Sequence, residues 1–159
     1  MGEGNRKNGG ENMKIPSFDI DHTTMEPGIY EARIDMRSGE AATTYDIRLC
    51  TPNMESLTPK ASHTLEHIIA VWLRNNDSIK NDVIYFGPMG CLTGFYLILW
   101  GVRTTEEITF LMKQAFEWVV NYQGCVPGAT EKECGNYKLH SLPEAKGAAR
   151  RFIKYLKDK

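Results

Sequence analysis

Residues 62–70, SHTLEHIIA, place two histidines four residues apart in a stretch whose apolar residues favour a helix. In a helix, His63 and His67 lie on one face about one turn apart, so both can bind one metal ion. Glu66 is a carboxylate beside them that could transfer protons. The His-x-x-Glu-His pattern also occurs in inverted zinc proteases, so it indicates a metal enzyme without naming the reaction. The alternative is a helix with two ordinary surface histidines.

Length and composition bound the class of protein. The chain has 159 residues, of which 42% are hydrophobic and 25% are charged, with a formal net charge of -1. These values favour one globular domain with its own core and give no sign of the basic surface that attracts nucleic acids or membranes. We expect residues 1–13, rich in glycine, asparagine and charge, to be a disordered leader and residues 14–159 to form the domain.

The sequence predicts neither secretion nor membrane insertion. The most apolar run, residues 92–100, is interrupted by Thr93 and Gly94 and is too short to span a bilayer as a helix. Four cysteines without a signal peptide favour a reducing compartment, where thiols serve as ligands, catalytic groups or core residues. We therefore expect a cytoplasmic protein.

Hydrophobic periodicity predicts a mixture of strands and helices. Strands are predicted over residues 29–36, 43–50, 83–86 and 91–101, and the first two would pair as a hairpin. Helices are predicted after Thr58 or Ser62 up to residues 75–78, over residues 104–122 with a capping box, from Thr130 onwards, and over residues 144–156.

A third metal ligand is indicated by the segment that begins at Thr130. Glu133 stands three residues later, as in a capping box, so we predict a helix with Cys134 in its first turn. The helix dipole there favours a thiolate, the form that binds metals. We interpret His140, near the end of this segment, as a polar cap or C-terminal cation rather than a ligand. Two imidazoles and one thiolate leave one tetrahedral position open, which is typical of a catalytic site.

Two further residues have both a structural and a chemical interpretation. Cys91 follows the turn Gly-Pro-Met-Gly, where the backbone can approach a ligand closely, but a small buried residue of a strand is the commoner role of such a cysteine. Arg48 lies off the apolar face of its predicted strand, and it is either a residue of a solvated sheet face or a group that binds an anion or a hydroxyl.

Five short motifs together resemble the S-ribosylhomocysteine lyase (LuxS) family. They are Ser17-Phe-x-x-Asp-His22, Tyr45-Asp-Ile-Arg48-x-x-x-Pro-Asn, His63-Thr-Leu-Glu66-His67, Pro88-Met-Gly-Cys91-x-Thr-Gly and Glu133-Cys134-Gly. Each motif alone is weak evidence for the family. All five, however, occur in the order and at the spacing of the family, from about residue 15 to the final helix.

The resemblance implies the fold, the cofactor and the assembly. It implies an α/β protein of the α+β type, a single compact domain whose antiparallel sheet packs against helices, and a homodimer with two active sites at its interface. It also implies one divalent metal per subunit, held by His63, His67 and Cys134 with a water. Iron(II) would be the native ion and zinc(II) a common substitute.

The resemblance further implies the reaction and the residues that perform it. S-ribosylhomocysteine would be cleaved to homocysteine and 4,5-dihydroxypentane-2,3-dione, the precursor of autoinducer-2, by aldose–ketose isomerisation and β-elimination. Cys91 and Glu66 would be the acid/base pair. Ser17, His22 and Arg48 would contact the substrate, partly from the partner subunit.

One departure from the family pattern concerns the strand before Cys91. Many members have Ile-Asp-x-Ser where this chain has Ile84-Tyr85-Phe86-Gly87, and the aspartate contributes to binding the homocysteine end. We expect an active enzyme with altered contacts to that end. The alternatives are an inactive metal-binding module of the same fold and, less favoured, a metallohydrolase that uses Glu66 to activate water.

Overall fold

A hairpin forms the first half of the sheet. In a computed structural model, which describes residues 15–158, a short 3-10 helix at Pro16–Phe18 precedes β1 (Gly28–Arg37), which pairs antiparallel with β2 (Glu40–Arg48). The turn between them has positive φ at Ser38 (53°) and Gly39 (82°), a conformation that glycine adopts without strain. The predicted hairpin is confirmed. The predicted leader, residues 1–13, lies outside the described residues.

Two further strands complete a four-stranded antiparallel sheet. They are β3 (Val83–Pro88) and β4 (Gly94–Trp100), and the strand order is β1-β2-β4-β3. The strand predicted over residues 91–101 begins only at Gly94, because Leu92 has a positive φ (59°) and its N–H bonds to the carbonyl of Met89 (2.9 Å). Cys91 therefore lies in the turn between β3 and β4, not on a strand.

Three helices have ends that match their local sequence. They are α1 (Pro59–Asn75), α2 (Thr105–Asn121) and α3 (Leu142–Lys157). The side chain of Thr58 caps α1, that of Ser141 caps α3, and Thr104 and Glu107 form the predicted capping box at α2. Among the described residues, no helix is long and apolar enough to cross a membrane.

The predicted helix from Thr130 is wrong. Residues 131–133 and 135–138 form two separate turns instead. Thr130 does accept the N–H groups of Glu133 (3.1 Å) and Cys134 (3.0 Å), as at the start of a helix. The N–H of Asn136, however, donates to the sulfur of Cys134 (3.4 Å) rather than to a carbonyl four residues earlier, so helical bonding stops.

The core lies between one face of the sheet and the helices. Alternate residues of β2 and β4, such as Tyr45, Ile47 and Leu97, pack with Leu65 of α1 and Phe116 of α2. The predicted α+β class, with an antiparallel sheet packed against helices, is thus confirmed. The opposite face of β2 presents polar side chains, and this face is one of the two places where candidate functional residues gather.

Candidate active site

His63 and His67 lie on one face of α1, and both rings are fixed by carbonyl groups of the segment between α2 and α3. Nδ1 of His63 lies 2.8 Å from the carbonyl oxygen of Leu139, and Nδ1 of His67 lies 2.7 Å from that of Pro127. Because a carbonyl oxygen can only accept, each Nδ1 carries the proton. In the neutral form of each ring, Nε2 is then the nitrogen with the free lone pair, which is the state in which histidine binds a metal.

The α2–α3 segment can approach α1 because of a glycine. Gly128 has φ +67° and directly follows the Pro127 carbonyl that His67 contacts. A Cβ at Gly128 would lie 3.3 Å from Nδ1 of His67, tighter than most such contacts. The chain thus turns here in a conformation that favours glycine, with no side chain to displace the imidazole.

Cys134 joins the two histidines as predicted, although the helix expected to carry it is absent. Its Sγ lies 3.4 Å from Nε2 of His63 and accepts the N–H of Asn136 at 3.4 Å. Two imidazole nitrogens and one sulfur form the ligand set that zinc and iron(II) accept in proteins. The residues present therefore fit a divalent metal.

His140 also belongs to this cluster, which its position in the sequence did not predict. One ligand atom from each of His63, His67, Cys134 and His140 lies within 4.8 Å of the others. Burial lowers the pKa of His140 to about 4, and any positive charge on His63 or His67 acts in the same direction, so the ring of His140 is neutral near pH 7. The interpretation as a helix C-terminal cation is wrong, since the residues just before His140 form turns and not the end of a helix. The sequence signal for the true position of His140 was Ser141, a residue type that often caps helices. Ser141 caps α3, so His140 lies just before a helix and not at the end of one.

A second cluster lies on the other face of the sheet, around Arg48. This side chain is only 2% exposed, and it donates to both carboxylate oxygens of Asp46 (3.1 and 2.5 Å) and to Thr93 Oγ1 (2.6 Å). The solvated-face interpretation of Arg48 is therefore wrong. Burial raises the pKa of the Asp46 carboxyl, an effect that the hydrogen bonds and charge of Arg48 oppose.

Cys91 lies at the exposed edge of the Arg48 cluster. Its Sγ is 3.0 Å from Thr93 Oγ1 and 3.9 Å from Nη1 of Arg48. Because Thr93 Oγ1 already accepts a proton from Arg48, its hydroxyl hydrogen is free to point at the sulfur. Partial burial acts to raise the pKa of the Cys91 thiol, but hydrogen bonds from the hydroxyl and backbone of Thr93 and the charge of Arg48 outweigh it, so this pKa is lowered. The interpretation of Cys91 as a buried structural residue is wrong.

The cluster depends on a close approach between β2 and β4. Gly94 pairs with Arg48, and a Cβ at Gly94 would lie 2.3 Å from the carbonyl oxygen of Ile47. Any larger residue would push the strands apart beneath the arginine.

The remaining predicted residues divide between the two clusters. His22 is half-buried and donates from Nδ1 to the carbonyl of Ile20 (2.8 Å), and its charge reaches Asp46. Ser17 lines a cavity of about 200 Å³ on the same face of the sheet. Glu66 is half-buried on α1 beside His67 and has no hydrogen bond or ion pair among the described residues.

The two clusters do not contact each other within one protomer. Among residues 15–158, no hydrogen bond, ion pair or ring contact joins the metal-ligand cluster of α1 to the cluster of Cys91 and Arg48.

Comparison with known sequences decides the family. The family model described as S-ribosylhomocysteinase (LuxS) matches residues 15–159. The chain belongs to this family. It is 47% identical over 140 residues to the S-ribosylhomocysteine lyase of Phocaeicola vulgatus, covering 87% of each chain. It is 46% identical over 144 residues to that of Borreliella burgdorferi, covering 90% of this chain and 92% of the relative. The predicted family and its class, carbon–sulfur lyases, are confirmed.

Tyr85 stands where many members of the LuxS family have an aspartate, and the structure shows what surrounds it. This side chain is 48% exposed and lies over Gly87, where a Cβ would meet its hydroxyl oxygen at 1.9 Å. Tyrosine at position 85 and glycine at position 87 are therefore linked: a side chain at Gly87 would displace the ring. Tyr85 lines the same cavity as Ser17, together with Thr44 and Tyr96.

Proposed function

We propose that this chain cleaves S-ribosylhomocysteine to homocysteine and 4,5-dihydroxypentane-2,3-dione, with one divalent metal per subunit. The observation that supports it best is the cluster of His63, His67 and Cys134 in a chain of the LuxS family. Both histidines have Nε2 free, and a mixed nitrogen and sulfur set suits iron(II), the ion proposed as native, as well as zinc(II).

The chemistry requires a proton to move between ribose carbons and then a thioether to leave. A divalent ion bound by His63, His67 and Cys134 would supply Lewis acidity, which makes C–H groups beside a carbonyl more acidic. We assign proton removal and return to the thiolate of Cys91 and the carboxylate of Glu66. In the final step one of them takes a proton from the carbon next to the carbonyl, the β C–S bond breaks, and the electron pair leaves on the homocysteine sulfur, which is then protonated.

Support for these roles comes from the two environments. Cys91 is exposed, and its lowered pKa increases the fraction of thiolate at neutral pH. Glu66 has no partner among the described residues, so its carboxylate is free to exchange a proton. Ser17, His22 and Arg48 stay proposed substrate-site residues. Arg48 would also act through Thr93, because its Nη1 donates to the hydroxyl that contacts the Cys91 sulfur.

We also propose that two subunits combine to form each active site, in the cytoplasm. Within one protomer the metal ligands and Cys91 belong to separate clusters, whereas the reaction needs both at one substrate. The sheet face that carries the Cys91 cluster also has half-exposed aromatic side chains, Tyr85 (48%) and Trp100 (49%). Burial of such groups favours association. A protein that is monomeric by light scattering and active under the same conditions would exclude this arrangement.

One assay separates the lyase from its alternatives. Protein purified anaerobically should contain about one iron or zinc per chain and should release homocysteine thiol from S-ribosylhomocysteine in a one-to-one ratio with the dione. A metal-binding module would contain metal but release no thiol. A metallohydrolase would cleave peptides instead. Metal-loaded protein that releases no thiol would contradict the proposal.

Replacing Thr93 by valine is expected to make Cys91 less reactive at neutral pH. The change keeps the shape of the side chain but removes the hydroxyl that contacts Sγ, so the pKa of Cys91 rises and less thiolate is present. Alkylation by iodoacetamide at pH 7 should slow about fivefold, as expected for the loss of one hydrogen bond of about 1 kcal/mol. Well above both pKa values the rates should converge.

The alkylation measurement can be restricted to Cys91 by excluding the other three thiols. The Cys125→Ser background removes the other exposed thiol, bound zinc protects Cys134, and Cys50 is buried with a raised pKa. Identical pH–rate profiles for the Thr93→Val protein and its parent would show that the hydroxyl does not act on the thiol.

A further inference from the structure

His140 shares the metal-ligand cluster but has different hydrogen bonds from the two other histidines. His63 and His67 donate from Nδ1 to carbonyl oxygens, so in their neutral rings Nε2 is the unprotonated nitrogen. Nδ1 of His140 instead lies 3.1 Å from a hydroxyl, that of Thr64, which can either donate or accept. The direction of this one hydrogen bond decides which nitrogen of His140 carries the proton.

The surroundings of Thr64 fix that direction. The backbone N–H of Ser141 donates to Thr64 Oγ1 at 2.9 Å, so the oxygen already accepts. Thr64 is fully buried, and among the described residues the only other hydrogen-bond partner of its hydroxyl is Nδ1 of His140. The hydroxyl hydrogen therefore points at Nδ1, which accepts it. In the neutral ring of His140, the proton must then be on Nε2.

Nε2 of His140 has no partner of its own. This atom is buried and makes no hydrogen bond within residues 15–158. Buried N–H groups are nearly always paired, so an acceptor that the chain does not supply belongs beside it. The ring contacts both other histidines, with centroids 4.0 Å from that of His63 and 4.7 Å from that of His67. The missing acceptor therefore belongs to the metal-ligand cluster.

The ring geometry also argues against a fourth metal ligand. The rings of His63 and His140 are stacked, with only 22° between their planes. The lone pair of an imidazole nitrogen lies in the plane of its ring, so the lone pairs of two stacked rings lie in parallel planes. The lone pairs of two ligands of one tetrahedral metal ion must instead converge on the ion.

We propose that His140 is a positioning residue whose Nε2–H donates a hydrogen bond to the oxygen beside the three ligands His63, His67 and Cys134. This oxygen belongs to water in the resting enzyme and to the substrate during turnover, so the second part rests on the proposed lyase function. Thr64 keeps His140 in the donating tautomer. The residue would orient the substrate oxygen while leaving the metal with three protein ligands.

The tautomer can be measured without any assay of activity. Two-bond proton–nitrogen NMR of the zinc-loaded protein, labelled with nitrogen-15 in its histidines, reports which nitrogen of each ring is protonated. The expected result is Nδ1–H for His63 and His67, with Nε2 shifted by zinc, and Nε2–H for His140. A His140 ring protonated at Nδ1, with its Nε2 shifted by zinc, would overturn the proposal and make it a ligand.

Variants then test the role of the N–H group. His140→Ala should still bind about one zinc per chain. Its zinc affinity should fall by no more than about 100-fold, the upper end of the loss for a residue that contacts a metal ligand but does not itself bind the metal. The ligand-field absorption of its cobalt(II) form should keep the bands of the wild type. Zinc loss as complete as in His63→Ala, or changed cobalt bands, would contradict the proposal.

Conservative replacements separate positioning from a general structural role. His140→Gln can present an N–H near the position of Nε2 and should recover most of the kcat that His140→Ala loses, expected to be about 10- to 100-fold. Thr64→Ser should be close to wild type, whereas Thr64→Val should show mixed tautomers of His140 in the NMR experiment. Equal kcat values for the glutamine and alanine variants would exclude the donor role. If thiol release were absent in the wild type, only the lyase proposal would fail, since the tautomer result stands alone.

Discussion

Replacing Cys91 by alanine is expected to lower homocysteine release by about 1000-fold while the metal content stays at the wild-type level. Removal of a general acid or base typically costs 100- to 10000-fold in rate. Cys91 is the exposed thiol whose pKa the hydrogen bonds of Thr93 and the charge of Arg48 lower. It lies in the β3–β4 turn, apart from the metal-ligand cluster, so its loss should leave zinc binding unchanged. The measurement is thiol release beside metal analysis of the same preparation.

Cys125→Ala is the matched control for the Cys91 variant. Cys125 is also an exposed free cysteine, but it lies in the segment after α2 and its side chain has no hydrogen bond among residues 15–158. Its removal should change turnover less than twofold. A Cys91→Ala enzyme with near-normal turnover would remove Cys91 from the mechanism and leave Glu66 as the only proposed acid/base group.

Local sequence signals predicted those parts of the fold that depend on neighbouring residues. The capping box at Thr104 and the spacing of apolar residues after it define α2 almost to the residue. The alternation in β2 and the glycine of the turn define the hairpin. These features arise from hydrogen bonds within one turn and from the period of each element, so a single sequence contains them.

The errors have their cause in contacts between distant segments. Residues 130–138 have the start signal of a helix, but two imidazoles of α1 donate to carbonyl groups on either side of them. These are the carbonyls of Pro127 (2.7 Å) and Leu139 (2.8 Å), which lie 60 and 76 positions later in the chain than the imidazoles. The sequence left a solvated face open as one of two interpretations of Arg48, because nothing within its strand shows that Thr93, in the β3–β4 turn, contacts it. His140 is placed by Thr64, 76 positions earlier in the chain, whose hydroxyl contacts Nδ1 of the ring and the N–H of Ser141.

The predicted ligand set did not depend on the secondary structure being right. His63 and His67 needed only the period of a helix, which α1 has. Cys134 was selected for its expected place at a helix N-terminus, and it reaches the histidines although that helix does not form. What places the sulfur is the series of turns after Thr130, so Cys134 lies beside the histidines for a different reason from the one predicted.

Replacing His63 by alanine is expected to remove both metal and turnover. The variant leaves one imidazole and one thiol from the predicted set, and His140 cannot substitute because its Nδ1 accepts from Thr64 and its Nε2 carries the proton. Zinc affinity should fall by about 1000-fold or more, well beyond the 10- to 100-fold typical of a group that only contacts a ligand. Thiol release should fall below detection, and zinc should no longer raise the melting temperature.

Glu66→Gln supplies the matched control for His63→Ala on the same helix. The side chain is nearly isosteric, it is half-buried beside His67, and it has no partner among the described residues that its loss would expose. This variant should bind zinc as the wild type does but lose about 100-fold or more in turnover, because glutamine cannot transfer a proton. The pair thus separates metal binding from proton transfer on adjacent turns of α1. Zinc bound by His63→Ala with wild-type affinity would mean that the ion lies elsewhere, and the metal-ligand cluster would lose its proposed role.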